Sequence, residues 1–551
     1  MSSWNKLKNN FLLKKEVFLI LPLLIAFSLY YPFLKHGWWS GDDTAILHAT
    51  IQHGWLPFFY KPEVWRTLST TNFTPWINLS YAIDWDIFGF NPTGFFLHHI
   101  LSFLIATLCC GLLFSEVMNV LPNASTLLLF ITSMPALALV EHLWLRHYIE
   151  GLALASFSLF LFIRGLKSSK FVYPILGAFF YFCSVTAKEV YVPLICLVFF
   201  YPNSFHKKAF LYKIPFLLVS IFYSVWRLVM LGKANIFASD IIGPPTSYIT
   251  PDKFYHLILN GLFLKSPISW TGTLFLVFAI IALFLNKKQC SFFYISVILL
   301  SITIPILPVI SQLQHVTIAN LSSLRILTVV SISFFLFISF FNYLSHTKVG
   351  FIALIVLLSA NLFLLFSQNI IKRGLEKHDA YKKIGEFLLR GDKQKVFVHV
   401  DGAPWFFTEL LELAQQTHLI PPDKIPLFCT DAYLCKQALK NTNLNFYYFD
   451  GYEIRKKKTW LNNIKNNIKP YALFHYKNHL LTWEFGPFNK GQYCILLMKN
   501  NIPQGTYYLP QTGSTKIYLK KDLKVVLRYK DPKGWITYSD IIEVKINANN
   551  K

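Results

Sequence analysis

Two adjacent carboxylates, Asp42 and Asp43, stand in Gly41-Asp42-Asp43-Thr44, directly after the first long apolar stretch of the chain. Paired carboxylates repel each other, so one can retain a proton or both can share a cation. A carboxylate beside an acceptor hydroxyl can also take its proton and act as a general base. Because the sequence from Thr44 to Leu47 continues well as a helix, either aspartate could instead be its N-cap. The motif alone leaves both roles open.

Two cations have positions that suit the binding of a phosphate. Arg325 begins an apolar stretch in Ser322-Ser323-Leu324-Arg325, and Lys188 follows another apolar stretch. A fixed guanidinium at headgroup depth matches the geometry of a phosphate, and Lys188 would add a second positive charge. The alternatives are snorkelling of Lys188 to the membrane surface and an ion pair of Arg325 with an acidic residue.

Further polar residues stand at the ends of apolar segments, and we predict that they line a cleft: Asp84, His98, Glu141 and Arg146. A charge near a membrane helix is costly and persists mostly where it lines a cavity or the interface. Asp43, Asp84 and Glu141 also offer the hard oxygen ligands that Mg²⁺ or Mn²⁺ prefers, although no ligand spacing requires a metal. Such a divalent cation is the only cofactor that the sequence suggests.

The composition indicates a membrane protein. Of the 551 residues, 54% are hydrophobic and only 15% are charged, which is too little polar surface for a soluble chain of this length. The formal net charge of +24 could indicate nucleic-acid binding, but the first half of the chain is too apolar for that class. Contact with anionic lipid or with a phosphorylated ligand fits the basic excess better, so we expect no nucleic-acid partner.

Apolar segments predict about eleven transmembrane helices. They cover residues 17–34, 95–117, 123–140, 151–164, 171–187, 190–202, 209–231, 257–286, 290–308, 323–344 and 349–370. Basic loops alternate along the chain with loops that hold nearly all the acidic residues of this half. The positive-inside rule therefore places the N-terminus in the cytoplasm, and an odd number of crossings places the C-terminal portion outside it.

The segments divide the chain into a transmembrane domain, residues 1–371, and an extracytoplasmic soluble α/β domain, residues 372–551. The first outer loop, 35–94, is rich in tryptophan and either forms an interfacial aromatic belt or walls a cleft. In the soluble domain the pattern predicts a helix from about 404 to 416 and five strands, at 396–400, 493–497, 516–519, 525–529 and 541–545. Cys429 and Cys435 could form a disulfide in an oxidising compartment.

Taken in order, these motifs resemble the GT-C fold glycosyltransferases, which use polyprenyl-phosphate sugars. Asp42-Asp43-Thr44 after a first membrane helix looks like their Asp-Asp or Asp-Glu motif. Other motifs are similar to the membrane half of the TMTC-type protein O-mannosyltransferases, and the chain also resembles aminoarabinose transferases. These motifs are Asn72–Trp76, Phe88–Phe95, His98 with His99, Glu141–Trp144 with Arg146, and Ala187-Lys188-Glu189.

The resemblance covers roughly residues 15–345 and implies a lipid-linked sugar donor with inversion at the sugar. Asp42 would be the general base, Asp43 its neighbour, and Arg325 the family's arginine at the start of a late helix. The acceptor would be a glycan, a lipid or a protein, and no tetratricopeptide period follows residue 371. We expect a bacterial inner-membrane protein with its C-terminal domain outside the cytoplasm.

Three other classes of protein remain open. A ligase or polymerase of envelope polymers that uses the same lipid carrier would need the same phosphate-binding cations. A lipid or solute transporter would place polar groups near the bilayer midplane, and Arg227, within the seventh predicted crossing, favours this class. The other charges are peripheral, and the two halves show no internal repeat. A non-catalytic assembly protein would not need Asp42 and Asp43.

Overall fold

A computed structural model describes residues 15–232 and 358–544, with gaps. The gaps are 70–71, 118–119, 133, 200, 202–206, 360–361, 364, 368, 391–395, 401–405, 422–426, 430–444, 450–453, 457–464, 466–467, 478–479, 500–501, 517–522 and 534. The described residues divide between Asp379 and Ala380 into two compact units. The described residues do not include the predicted crossings 257–286, 290–308 and 323–344 or most of the crossing 349–370. Arg325 and Cys435 also lie outside them.

The first unit is largely helical. Its helices are α1 (Lys15–Tyr30), α2 (Pro32–His36), α3 (Asp43–His53), α4 (Pro57–Tyr60), α5 (Pro62–Leu68), α6 (Trp76–Phe88), α7 (Pro92–Val117), α8 (Val120–Ile131), α9 (Met134–Glu141), α10 (Arg146–Ser168), α11 (Val172–Ala187), α12 (Leu194–Phe199), α13 (Lys207–Leu231) and the beginning of α14 (Ile370–Leu389). Short 3₁₀ turns, Leu143–Leu145 and Glu189–Tyr191, precede α10 and α12.

Four helical stretches in the described part of the chain are long and apolar enough to cross a membrane. They are Leu19–His36, Pro92–Glu116, Leu143–Ser168 and Ala209–Leu231. The prediction of an integral membrane protein is thus supported, while the total of about eleven crossings stays a prediction. The segment predicted as one crossing over 123–140 forms two shorter helices, α8 and α9. The described residues of the segment 190–202 form the end of a 3₁₀ turn and the short helix α12.

The segment 35–94, predicted as a long loop, is mostly helical and contains α3, α4, α5 and α6. Prolines start α4 and α5, where a missing N–H and a fixed φ favour the first helical turn. Helix α6 buries Ile77, Tyr81 and Asp84, whose spacing of four and three residues places them on one face. The folded segment therefore presents selected polar side chains inward.

Helix α10 packs against α7 and α11, and small residues bring these helices close together. A Cβ added at Gly151 would lie 2.4 Å from the Tyr191 ring, so only glycine fits there. Ser158 Oγ donates a hydrogen bond of 2.7 Å to the Gly177 carbonyl across the contact with α11. This close packing fixes the position of α10, whose first two turns carry two of the charged residues described below.

The second unit is a β-sheet region. Its strands are β1 (Val396–Val400), β2 (Leu427–Cys429), β3 (Asn445–Phe449), β4 (Ile454–Lys456), β5 (Tyr471–Lys477), β6 (Leu480–Gly486), β7 (Gln492–Lys499), β8 (Ile502–Leu509), β9 (Thr512–Lys516), β10 (Leu523–Lys530) and β11 (Ile536–Val544), with helix α15 (Phe406–Gln416) between β1 and β2. They form three sheets with the orders β2-β1-β3-β4, β11-β10-β7-β8 and β5-β6-β9. Strand β1 runs parallel to β2 and β3, and the other pairs are antiparallel.

The predicted strands at 396–400, 493–497, 525–529 and 541–545 correspond to β1, β7, β10 and β11, and the predicted helix corresponds to α15. Of the predicted strand 516–519, only Lys516 is described, at the end of β9. A core of aromatic and aliphatic side chains around Trp483, Phe485 and Tyr529 packs the last two sheets together. Cys435 is not described, so the disulfide with Cys429 stays a prediction.

Candidate functional site

The two aspartates begin helix α3 in a tightly closed turn. The backbone N–H of Asp43 donates to the Ser40 carbonyl at 3.2 Å, and the Ser40 N–H donates back to Oδ2 of Asp43 at 2.8 Å. Gly41 has a positive φ of 56°, and a Cβ there would lie 2.5 Å from Trp144 Nε1, so the turn requires glycine. Asp42 occupies the N-cap position and is half-buried. Asp42 is therefore the more exposed of the two residues.

Asp43 is fully buried, and both of its carboxylate oxygens accept hydrogen bonds. The second bond comes from the Tyr81 hydroxyl on α6, at 2.8 Å. Burial raises the pKa of the Asp43 carboxyl to about 7, although the hydrogen bonds from Tyr81 and Ser40 favour the charged form and lower it. Asp43 is thus a carboxyl group that titrates near neutral pH directly beside Asp42.

A second buried group of charges surrounds Arg146, the first residue of α10. The Arg146 guanidinium, which is 0% exposed, forms an ion pair with Asp84 and donates a 2.8 Å hydrogen bond to the Phe95 carbonyl. Its Cζ lies 5.1 Å from the centroid of the Tyr81 ring. His98 Nδ1 lies 2.6 Å from the other Asp84 oxygen. Tyr81 therefore separates this ion pair from the carboxylate of Asp43 and contacts both.

Glu150 extends the same group one turn along α10. It accepts hydrogen bonds from Trp76 Nε1 at 2.9 Å and from Ser80 Oγ at 2.8 Å. His98 Nε2 lies 3.4 Å from Glu150 Oε1, so the imidazole bridges Glu150 and Asp84. Charged groups in apolar surroundings persist when they are paired and hydrogen-bonded, which is the case here.

The four residues predicted to line a cleft are divided between two places. Asp84 and Arg146 are buried against each other, while the side chain of His98 is 31% exposed. Glu141 stands apart from this group at the end of α9, where its Oε1 lies 3.5 Å from His142 Nε2. Arg146 is therefore packed and paired within the protein, and His98 is the most exposed side chain of the Asp84 group.

The carboxylates predicted as possible ligands of Mg²⁺ or Mn²⁺ do not fit one site. Asp43 is hydrogen-bonded to Tyr81, Asp84 is paired with Arg146, and neither belongs to the cluster of potential ligands around Glu141. An oxygen-rich site for these metals would need several free carboxylate or carbonyl oxygens around one point. Among the described residues, these three do not provide that arrangement.

Lys188 follows α11 and is only 8% exposed. Its Nζ lies 4.6 Å from the centroid of the Tyr148 ring. The ion pairs of the described residues do not include Lys188, whereas its neighbour Glu189 pairs with Arg227 at 2.6 Å. The ring attracts the ammonium group and holds it in place. Arg325, the other predicted phosphate ligand, lies outside the described residues.

Several residues of this region were not predicted as part of a site. Tyr81 is buried on α6 and Glu150 is partly buried on α10, and a spacing of three or four residues from Asp84 and Arg146 could have indicated them. His378 on α14 was also missed, because its partners are Trp38 and Glu141, far away in sequence. Neither a protein-family model nor a curated protein matches this chain.

Proposed function

We propose that this chain is a membrane glycosyltransferase of the GT-C type, which transfers a sugar from a polyprenyl-phosphate donor to an acceptor hydroxyl. The observation that supports this best is the contrast between two adjacent carboxylates. Asp43 is buried with both oxygens hydrogen-bonded, whereas Asp42 is half-exposed at the start of the same helix. A general base must reach its substrate, and Asp42 has the accessibility that Asp43 lacks.

In the proposed reaction, Asp42 takes the proton of the acceptor hydroxyl while the acceptor oxygen bonds to the anomeric carbon of the donor sugar. The bond between that carbon and the phosphate oxygen breaks, and its electron pair leaves with polyprenyl phosphate. Attack on the face opposite the phosphate inverts the anomeric carbon. Among the described residues, Asp43, Asp84 and Glu141 do not share one site, so we assign no step to a metal ion held by these three together.

The leaving phosphate gains negative charge as the bond breaks, and fixed cations stabilise it. Lys188 is suited to this role because its ammonium group packs against the Tyr148 ring and forms no ion pair with another described residue. The role of Arg325 rests on its position in the sequence alone. We place the reaction at the extracytoplasmic face of a bacterial inner membrane, with a glycan, lipid or protein as acceptor.

The transporter alternative loses its main support in the sequence. Arg227 suggested a charge within the membrane, but its Nε lies 2.6 Å from Glu189 Oε1. Pairing with Glu189 satisfies the Arg227 charge within the protein, so a transported solute is not needed to explain this arginine. A ligase or polymerase that uses the same lipid carrier shares the base and the cations of the proposal and differs from it in the product released.

Mass spectrometry of the lipids that co-purify with the chain tests the donor class. We expect polyprenyl phosphate or its glycosylated form, with more of the glycosylated form in Asp42→Asn than in the wild type. Asp86→Asn is the matched control because Asp86 is an exposed carboxylate on α6 outside the site. Recovery of ordinary phospholipids alone, from all three proteins, would contradict the proposal.

A further inference from the structure

Three potential metal ligands converge where α14 meets the end of α9. Glu141, His142 and His378 each offer one ligand atom, and these atoms lie within 4.8 Å of one another. Both histidines are buried, at 2% and 0% exposure, while the Glu141 side chain is 17% exposed. The cluster is thus enclosed by protein on the imidazole side and open to solvent at the carboxylate, which gives an ion a path of entry.

His142 has a ring nitrogen that the protein leaves unsatisfied. Among the described residues, its buried Nε2 has no hydrogen-bond partner, and Glu141 Oε1 is 3.5 Å away. Its Nδ1 lies 3.4 Å from Ser40 Oγ, which orients the ring. Buried polar atoms are nearly always paired, so an unpaired nitrogen directed at a carboxylate calls for a ligand. A metal ion would satisfy Nε2 and the carboxylate together.

The hydrogen bonds of His378 fit the tautomer with the proton on Nε2, which donates to the Glu141 carbonyl while Nδ1 accepts from the Trp38 N–H; a metal on Nε2 would replace the bond to Glu141. Its Nδ1 lies 3.1 Å from the Trp38 nitrogen and 3.2 Å from the Trp38 carbonyl oxygen, and its Nε2 lies 2.8 Å from the Glu141 carbonyl oxygen. With a metal on Nε2, Nδ1 would carry the proton and donate to the Trp38 carbonyl. Histidine ligands commonly donate their second nitrogen to a backbone carbonyl in this way.

We propose that Glu141, His142 and His378 bind one Zn²⁺ ion. Two imidazoles and one carboxylate form a ligand set that suits Zn²⁺, whereas Mg²⁺ and Mn²⁺ prefer oxygen ligands alone. The fourth position of a tetrahedral ion is left for water on the exposed side. The ion would tie α14 to the turn before Asp42, since Ser40 and Trp38 contact the two histidines. Zn²⁺ binding at this site does not presuppose sugar transfer.

Lys377 is a competitor for the same carboxylate. Its Nζ lies 3.7 Å from Glu141 Oε1 and supplies positive charge there without a metal. Replacing it by methionine keeps the aliphatic stem and removes the charge. Such a half-exposed ion pair is weak, so Lys377→Met should tighten Zn²⁺ binding by up to about fivefold. If these residues served only as hydrogen-bonding groups, Lys377→Met would not bind Zn²⁺ more tightly than the wild type.

The test uses the full-length chain, purified in detergent and stripped with a chelator. Zn²⁺ is titrated back, and bound metal is measured by mass spectrometry of the elements, together with the midpoint of thermal unfolding. We expect about one Zn²⁺ per chain, a higher midpoint with Zn²⁺, and loss of both effects in His142→Ala and Glu141→Gln. The control is His475→Ala, at an exposed histidine on β5, which should bind Zn²⁺ like the wild type.

The wild-type protein alone decides the main point, so the proposal does not depend on whether the variants fold. A stripped and folded wild type that takes up no Zn²⁺ would overturn it. Zn²⁺ uptake that survives both His142→Ala and Glu141→Gln would equally overturn it, because the ion would then sit on other histidines. Visible absorption bands of tetrahedral Co²⁺ in wild type, weakened in Glu141→Gln, are the expected supporting signature.

Discussion

The Tyr81 hydroxyl donates a 2.8 Å hydrogen bond to Oδ1 of Asp43. The ring of the same tyrosine lies against the Arg146 guanidinium, 5.1 Å from its Cζ. Tyr81 thus joins the Asp42-Asp43 turn to the buried pair of Arg146 and Asp84. It holds Asp43 in place as a buried neighbour and leaves Asp42 as the accessible carboxylate. The function that we propose depends on this difference between the two aspartates.

Tyr81→Phe removes the hydroxyl and keeps the ring. The lost hydrogen bond favoured the charged form of Asp43, so the pKa of Asp43 should rise above its value of about 7. The variant should also lose about 1–2 kcal/mol of stability. Thermal unfolding of the purified proteins over a range of pH measures both effects. Tyr60→Phe, at an exposed tyrosine on α4, is the control, and identical pH profiles of Tyr81→Phe and wild type would refute the expectation.

Asp43 should make the protein less stable as the pH rises. Its pKa is about 7 in the folded protein and 3.8 for an ordinary carboxyl, so unfolding releases a proton between these values. The protonated Asp43 carboxyl stabilises the folded protein fully below the lower pKa. This stabilisation is lost as the pH rises through the higher pKa, by at most about 1.4 kcal/mol per pH unit. The side chain of Asp43→Asn cannot ionise. The unfolding midpoint of this variant should therefore rise relative to that of the wild type as the pH increases from 5 to 8. Parallel profiles would argue against a buried carboxyl that titrates near neutrality.

Removing one charge of the Arg146–Asp84 pair should lower the free energy of unfolding strongly. Removing both charges together should lower it by much less than the sum of the two single losses. Each single change, Arg146→Met or Asp84→Asn, leaves a buried charge without its partner, at a cost of about 3–5 kcal/mol. The double variant restores neutrality and should recover part of that loss. A double-mutant cycle of unfolding free energies measures the coupling. Additive losses would mean that the two residues stabilise the protein separately.

Lys188→Met tests the binding of the donor phosphate. The methionine keeps an apolar stem over the Tyr148 ring and removes one charge-assisted contact, so retention of polyprenyl phosphate should fall by about tenfold or more. Native mass spectrometry of the purified protein compares that lipid with bulk phospholipid. Lys61→Met is the matched control, because Lys61 also lies over an aromatic ring, that of Tyr60, but on an exposed surface. Equal losses in both variants would remove Lys188 from the donor site.

Much of the fold could be predicted from patterns of apolar residues. Long apolar runs indicated the helices from Pro92 to Val117 and from Lys207 to Leu231, because lipid demands about twenty apolar residues in succession. Helices α4 to α6 were missed, since short amphipathic helices beside a membrane have no such length requirement. The start of α3 was predicted as one of two interpretations, with Asp42 or Asp43 as its N-cap. Strands β5 and β6 were also missed. They are consecutive antiparallel strands, and the preference of a segment for a strand depends on how its side chains pack against neighbouring strands, which the segment alone does not show.

The sequence was sufficient to predict which residue types form the site. It was sufficient to predict only some of the contacts between them. Asp42 and Asp43 were recognised as a pair, but which of them is accessible depends on the packing of Tyr81 and Ser40. The ion pair of Asp84 and Arg146 joins residues on different helices, so spacing along the chain does not reveal it. His378 is a further case, because the helix that carries it lies more than 200 residues after its partner Glu141.

The most direct test of the central claim is release of polyprenyl phosphate by the purified chain. The glycosylated lipid recovered from Asp42→Asn is supplied to the wild type, Asp42→Asn and Asp86→Asn, together with membranes that lack the chain and provide the acceptor. We predict release of polyprenyl phosphate by the wild type and by Asp86→Asn, and a loss of at least about a hundredfold in Asp42→Asn, whose amide cannot accept the proton. Equal release by Asp42→Asn and the wild type would contradict the assignment of Asp42 as the general base.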